Sequence, residues 1–169
     1  QGVLFLGGRF WVREMAKTLQ DEGYAVMLVD NSQHNVSAAR MAGIPAFYVS
    51  IFSDTVLDRV EISGIGKLMA MTGNDDVNSL AALHFSSLFG RAHAYQLMPE
   101  DEKQIDAHSR HLRGRFLFGK DMTHTALTRW FTDEAVVKKT RLSEEFGVEE
   151  LKAQYGGQVQ PLFLITEEG

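Results

Sequence analysis

The sequence predicts an α/β protein: a doubly wound parallel sheet with a small α+β appendage at its C-terminal end. Three observations predict it. The opening stretch GVLFLGGRFWVREMAKTLQDEGYAVMLVD, Gly2 to Asp30, reads as strand, tight glycine turn, helix and second strand, with a carboxylate at that strand's tip. Strand-length apolar runs then alternate with helix-period stretches as far as Pro99, four helices between five strands, which specifies parallel strands joined by right-handed crossovers. From Glu100 the texture changes to mixed charges and short, irregular elements.

Each element has its own reason. Val3 to Leu6 is an apolar run of buried-strand length, and Gly7-Gly8 follows where the chain must turn sharply into a helix. Val12, Met15, Ala16 and Leu19 recur at i, i+3, i+4 and i+7 and mark that helix's inner face, with Gly23 as its stop. Ala25 to Val29 is the second strand. Asn31 or Ser32 can cap a helix running to about Ala42, which Gly43 and Pro45 end. Ala46 to Val49 is the third strand. Ser53 or Asp54 opens a helix with Val56, Leu57 and Val60 inward and Asp58 and Glu61 outward. Lys67 to Met71 is the fourth strand, tipped by Thr72-Gly73-Asn74. Asp75 and Asp76 then suit the positive end of a helix reaching Phe89, with Val77, Leu80, Ala81, His84 and Leu88 expected on its buried face. His93 to Leu97 is the fifth strand. Beyond it we expect a polar helix over Asp101 to Leu112 and a short strand at Arg115 to Phe118. An amphipathic helix from Thr123 to Glu134 turns Ala126, Leu127, Trp130 and Phe131 inward. Val136 to Leu142 reads as an exposed strand, Glu149 to Tyr155 as a turn or two of helix, and Val159 to Thr166 as an edge strand containing Pro161. The soft boundary gives two parts, 1–99 and 100–169.

Composition narrows the function. A chain of 169 residues with 44% hydrophobic and 23% charged residues can bury a core unaided. With no cysteine, disulfides, thiolate metal sites and cysteine nucleophiles are excluded. A net charge of -5 argues against a nucleic-acid partner, which needs a basic face to neutralise phosphates. No apolar stretch reaches the roughly 18–20 residues of a membrane span. The sequence opens on Gln1 and closes at Gly169 just after an apolar run, so we expect a piece of a longer protein.

Residues 2–98 resemble the RCK domain, also called TrkA-N, a Rossmann-type regulatory domain attached to potassium channels and cation transporters. The resemblance rests on VLFLGG, REMAKTL, VMLVD and above all AMTGNDDVNSLAALHFSSLFG, with its acid-acid-x-Asn helix start at Asp75 to Asn78. The later segments GRFLFGKDMTHTALTRWF and QVQPLFLIT are similar to the cytoplasmic region of bacterial sodium or potassium/proton antiporters. The resemblance implies a Rossmann-like domain over 1–99 with a small α+β region over 100–169. It further implies a homodimer at the cytoplasmic face of the inner membrane, joined to a membrane-embedded transporter domain of the same polypeptide. Its ligand would be an adenine nucleotide, AMP or NAD(H), whose binding rearranges the dimer and biases cation transport.

Four strand tips supply the expected ligand contacts. In the first turn these are Gly7, Gly8, Arg9 and Phe10. The pattern G-x-G-x-x-G uses its glycines for the turn, for close approach of a pyrophosphate and for helix packing. Aligned through Arg13-Glu14, this chain has Gly7, Arg9 and Val12 at those places. A side chain at Arg9 obstructs the usual approach, yet a guanidinium there can itself hold a phosphate. The turn can equally be a relic that binds nothing. Asp30, with Asn31, stands where a carboxylate accepts ribose hydroxyls and repels a 2′-phosphate, favouring NAD or AMP over NADP; the alternative is an ordinary strand-end acid. Ser50, Ile51 and Phe52 replace the Gly-Asp-Ala often found at the third tip and can line an adenine pocket. Thr72, Gly73 and Asn74 stand beside the crevice, with helix capping by Asn74 the competing role.

No catalytic or metal residue is expected. Adjacent Asp75 and Asp76 face different ways on a helix. His108 and His111 have no acidic partner, and His84 reads as a packed core residue. The sequence has no Ser-His-Asp order, HExxH, lysine–tyrosine pair or P-loop. Trp11, in the glycine turn, is either a lid over the crevice or a contact with a second subunit. Besides a nucleotide sensor, the sequence admits a nucleotide-free dimerisation module or a small NAD-dependent oxidoreductase.

Overall fold

In the computed structural model, which describes residues 2–101 and 114–166, six parallel strands form one sheet in the order β3-β2-β1-β4-β5-β6. The strands are β1 (Gly2–Leu6), β2 (Val26–Asp30), β3 (Ala46–Tyr48), β4 (Ile65–Ala70), β5 (Ala94–Gln96) and β6 (Arg115–Phe116). The helices are α1 (Phe10–Asp21), α2 (Gln33–Met41), α3 (Asp54–Ile62), α4 (Asp75–Phe89), α5 (His124–Thr132) and α6 (Val148–Tyr155). The polar helix expected over Asp101 to Leu112, with His108 and His111, lies outside the described residues apart from Asp101, as does the side chain of Glu61.

Successive side chains leave a strand on opposite faces, so a strand covered on both sides is apolar without interruption. That is how β1 works. Val3 and Phe5 join Val26, Leu28 and Met69 beneath α1 and α2, against Val12, Met15, Ala16, Val36 and Ala39. Leu4 and Leu6 join Met27, Val29, Leu68 and Ala70 on the other face, against Val56 and Val60 of α3 and Ala81, Ala82 and Phe85 of α4. The register carries the layers across the sheet: Leu4 pairs with Met27 on one side and Leu68 on the other. Strand order reverses between β1 and β4, both of which leave the sheet at the same end. In open α/β sheets ligands bind at such a point.

The sheet continues past the boundary placed at residue 99. β6 pairs with β5 through Tyr95–Arg115 and Gln96–Phe116. The buried Gln96 side chain donates to Ser79 Oγ (3.0 Å) and accepts from the Gly114 amide (2.9 Å), tying α4, β5 and the entry to β6 together. Gly114 has no room for more: a Cβ there would stand 2.7 Å from Ala82 Cβ and 3.0 Å from the Ala94 carbonyl oxygen. Gly114→Ala should therefore destabilise the protein by about 1–3 kcal/mol, read as a lower urea midpoint at unchanged m-value.

Three sequence expectations are corrected. On α4 the sheet is met by Asn78, Ala81, Ala82 and Phe85, whereas Leu80 and Leu88 are 56% and 54% exposed. Two adjacent alanines let the helix approach closely, and this turns the leucines outward. Val136 to Leu142 forms no strand; this stretch is irregular, with Val137 packed on the core and Lys139 paired to Glu22 at 2.7 Å. Val159 to Thr166 is also irregular. It docks by side chains, Leu162 and Phe163 lying against the core and Phe163 edge-on to Phe118, while Gln160 Nε2 donates to the Phe118 carbonyl. Among the described residues no helix is long and apolar enough to cross a membrane.

Candidate nucleotide site

The four strand tips converge at the carboxyl end of the sheet, and the glycine turn is fixed from both sides. Gly7 has φ +101°, and a Cβ there would meet the Met71 carbonyl oxygen at 2.9 Å, so the turn rests on the tip of β4. Its amide donates to the Val29 carbonyl (2.9 Å). Gly8 is buried, and its N–H donates to Asp30 Oδ2 at 2.6 Å. The second oxygen of Asp30 is also engaged: Oδ1 accepts from the Ser32 amide (2.7 Å), while Asn35 Nδ2 adds a third bond, to Oδ2, at 2.9 Å. A carboxylate accepts at about four positions, so three protein donors leave it roughly one for a ribose hydroxyl. Arg13 closes the turn from below by donating to the Gly8 carbonyl oxygen (2.6 Å). Burial lowers the Arg13 pKa, against the raising effect of Glu14 and Asp30.

Arg9 stands exposed just ahead of α1, which has no side-chain cap. Phe10, the helix's first residue, is 39% exposed. The first amides of α1 face the crevice between β1 and β4, which suits an anion. Asn31 is exposed, and the cap of α2 is Ser32, whose Oγ accepts from the Asn35 amide. At the third tip Ser50 Oγ accepts from the Phe52 amide. Ile51 is buried in the α3–α4 core, while Phe52 is exposed and edge-on to His84 at 5.9 Å. His84 itself is half-buried and also touches Phe85.

The fourth tip is held by a residue that the site expectations omitted. Asn78 is buried, accepts from the Thr72 amide (3.0 Å) and hydroxyl (2.7 Å), and donates to the Thr72 carbonyl (2.9 Å). Asn74 caps α4 by accepting from the Val77 amide (3.1 Å). The Asp75-Asp76-Val77-Asn78 pattern was the available signal: an Asn one turn into a helix can reach back to the strand that precedes it.

Trp11 is neither lid nor subunit contact. It is fully buried and docks α5 onto α1: Nε1 donates to Thr128 Oγ1 (3.1 Å), and the indole stacks on Phe131 at 6.3 Å and lies 5.4 Å from the His124 ring. Phe10 meets the same Phe131 edge-on. His124 in turn stands beside exposed Gly73, where a Cβ would lie 3.2 Å from its Cε1. Glu100 Oε1 accepts from the Thr125 amide (2.7 Å), and the Glu100 amide donates to Asp75 Oδ2 (2.9 Å). Arg9, Asp75, Glu100 and His124 thus form a charged group around the first turn of α5. Sequence reasoning missed it because these residues are far apart in the chain and no spacing rule links them.

Their ionisation follows from that packing. Burial raises the Asp75 pKa, helped by Glu100 and Asp76, against the Glu100 amide bond and His124. Burial also pushes Glu100 upward, but hydrogen bonds from Thr125 and Thr123 and the charge of His124 outweigh it, leaving a net lowering. Burial lowers His124 from its ordinary 6.5, the Arg9 charge lowers it further, and Glu100 and Asp75 oppose both. A histidine lowered in the folded state binds fewer protons than in the unfolded chain. Its contribution is full above about pH 6.5 and is lost as pH falls from there through the folded pKa. Thermal unfolding from pH 7.5 to 5 should show His124→Gln flattening this part of the decline; an unchanged slope would refute it.

The TrkA-N domain model matches residues 6–111. Among solved structures, the NAD(P)-binding domain of an exopolyphosphatase-related protein from Archaeoglobus fulgidus superposes with a TM-score of 0.54 at 13% identity, covering 78% of this chain and 95% of that one; the likeness is one of fold. The UDP-glucose 4-epimerase of Thermus thermophilus, solved with NAD, is a looser likeness at TM-score 0.41 and 17% identity. It takes in 79% of this chain, which spans about half, 49%, of that one, and adds nothing to the fold. The sequence matches none of the curated proteins.

Proposed function

The chain belongs to the TrkA-N domain family, and from that premise we propose that it is the cytosolic regulatory domain of a bacterial sodium or potassium/proton antiporter. It binds an adenine nucleotide, AMP or NAD(H), in the crevice between β1 and β4. It works as a homodimer on the cytoplasmic face of the inner membrane, attached to the transporter domain of the same polypeptide. It acts without chemistry: ligand prefers one dimer arrangement, and only that differential affinity shifts transport.

The observation that carries this reading is the uncapped start of α1, with exposed Arg9, at the point where the strand order reverses. Backbone amides, the helix dipole and a guanidinium there suit a phosphate. Asp30 retains about one acceptor position on the ribose side. Calorimetric titration with AMP, ADP, ATP, NAD+ and NADH tests the binding, and sedimentation with and without the best ligand tests the assembly. No heat and no thermal shift with any of the five would end the sensing reading.

One observation favours a second reading, a nucleotide-free dimerisation module. The Gly8 amide, which a glycine-rich turn could offer to a phosphate, is already given to Asp30. A dimer that forms in sedimentation with no nucleotide bound at millimolar concentration would select it.

A further inference from the structure

From the way α5 is fastened across the sheet, we infer that the crevice accepts an adenine mononucleotide and excludes the second nucleoside of a dinucleotide. The inference rests on the nucleotide reading above and specifies its ligand. In a dinucleotide-binding sheet of this strand order the acid at the tip of β2 marks the adenosine half, and the pyrophosphate sits at the first helix's N-terminus. The second nucleoside therefore crosses to the β4 side, over the tips of β4 and β5.

In this chain that ground is taken. The His124 imidazole stands beside exposed Gly73, and its nearest ring atoms would lie 3.2 and 3.3 Å from a Cβ placed there, closer than an ordinary contact. Nothing the size of a ribose fits between them. The start of α5 cannot swing away cheaply, because the helix is tied to Met98, Glu100 and Trp11. Thr123 bridges to Met98 beside β5. The Thr125 amide is held by Glu100, whose own amide is held by Asp75. Thr128 accepts from Trp11 Nε1. His124 and Phe131 both pack on the buried indole.

The β2 side is different. Asn31 is exposed beside Asp30, and Arg9 and Phe10 are exposed at the head of α1. An adenosine on that side brings its 5′-phosphate to Arg9 and to the first amides of α1. A longer ligand then runs into His124. Asp75 and Glu100 act on the charge of His124 and make that side of the crevice acidic.

A graded ligand series locates the wall. Calorimetry on the intact chain with AMP, ADP, ADP-ribose and NAD+ should show affinity falling by at least about ten-fold between ADP and ADP-ribose, with NAD+ as weak as ADP-ribose. His124→Ala should narrow that step to within about three-fold while leaving AMP affinity nearly unchanged. His124→Gln, which keeps the bulk, should retain the step. Wild-type NAD+ binding as tight as AMP would overturn the inference and leave the nucleotide reading standing. A step that survives in His124→Ala would overturn the assignment to α5. Failure of all four ligands would remove the nucleotide reading itself, and this inference with it.

Discussion

Trp11→Ala should lower the folding free energy by about 3–5 kcal/mol, the largest loss expected from any single side chain here. The indole is fully buried, so truncation opens a cavity that neighbouring groups refill only in part. It also removes the surface on which α5 sits: the bond to Thr128, the stack on Phe131 and the contact with His124 all go together. The remaining anchors of α5 are Leu127, buried in the same core, and the contacts through Glu100 and Met98. Trp11→Phe keeps most of the ring and loses the Nε1 bond, and should cost about 1–2 kcal/mol. Equilibrium urea unfolding separates the two. A loss below about 1 kcal/mol for Trp11→Ala would mean that α5 is not docked as described. Because His124 leaves Gly73 when α5 detaches, the alanine variant should also lose any preference for short nucleotides.

The contrast between the two ends of the chain explains which parts of this molecule were legible in its sequence. Val3 to Leu6, Val12 to Leu19 and Ala25 to Val29 each carry a single period, and the buried positions in them face a core that already exists on that side of the sheet. Gly7 and Gly23 are where the backbone turns to positive φ. Local chemistry and global fold agree there, so reading one gives the other. On α4 they part. Leu80 and Leu88 are better core residues than Ala81 and Ala82 by hydrophobicity, but the sheet selects the small side chains that permit close approach. The tail fails for another reason. Val136 to Leu142 and Val159 to Thr166 have strand-like composition, yet they meet the core through Val137, Leu162 and Phe163 rather than through a ladder. Pairing requires an edge, and β6, two residues long, offers little of one.

The candidate site divides the same way. Gly7, Asp30 and the Thr72 to Asn74 tip lie at one end of the sheet, as the alternation of strands and helices requires of parallel strand ends. What those residues touch was not legible, since Asp30 meets Asn35 and Gly8 only once α2 and the turn have folded. The group of Arg9, Asp75, Glu100 and His124 required the three-dimensional path of α5.

Asp30→Ala should destabilise the protein by about 2–4 kcal/mol with no nucleotide present. Asp30 is 8% exposed, and its carboxylate accepts from Gly8, Ser32 and Asn35. Removing it leaves the Gly8 amide without its acceptor and frees the loop that Gly7 fixes against β4. Asp30→Asn is the sharper test. An amide keeps the shape but has one oxygen, and its NH2 group must face at least one of the three donors. We expect it to cost about 1–3 kcal/mol, far more than an isosteric change at a residue that served only a ligand. If both variants unfold with the wild-type urea midpoint, Asp30 has no structural work and its carboxylate is free for ribose. If both are destabilised and nucleotide affinity falls as well, the same side chain does two things. It holds the turn from beneath, and its remaining lone pair meets the sugar that the turn positions.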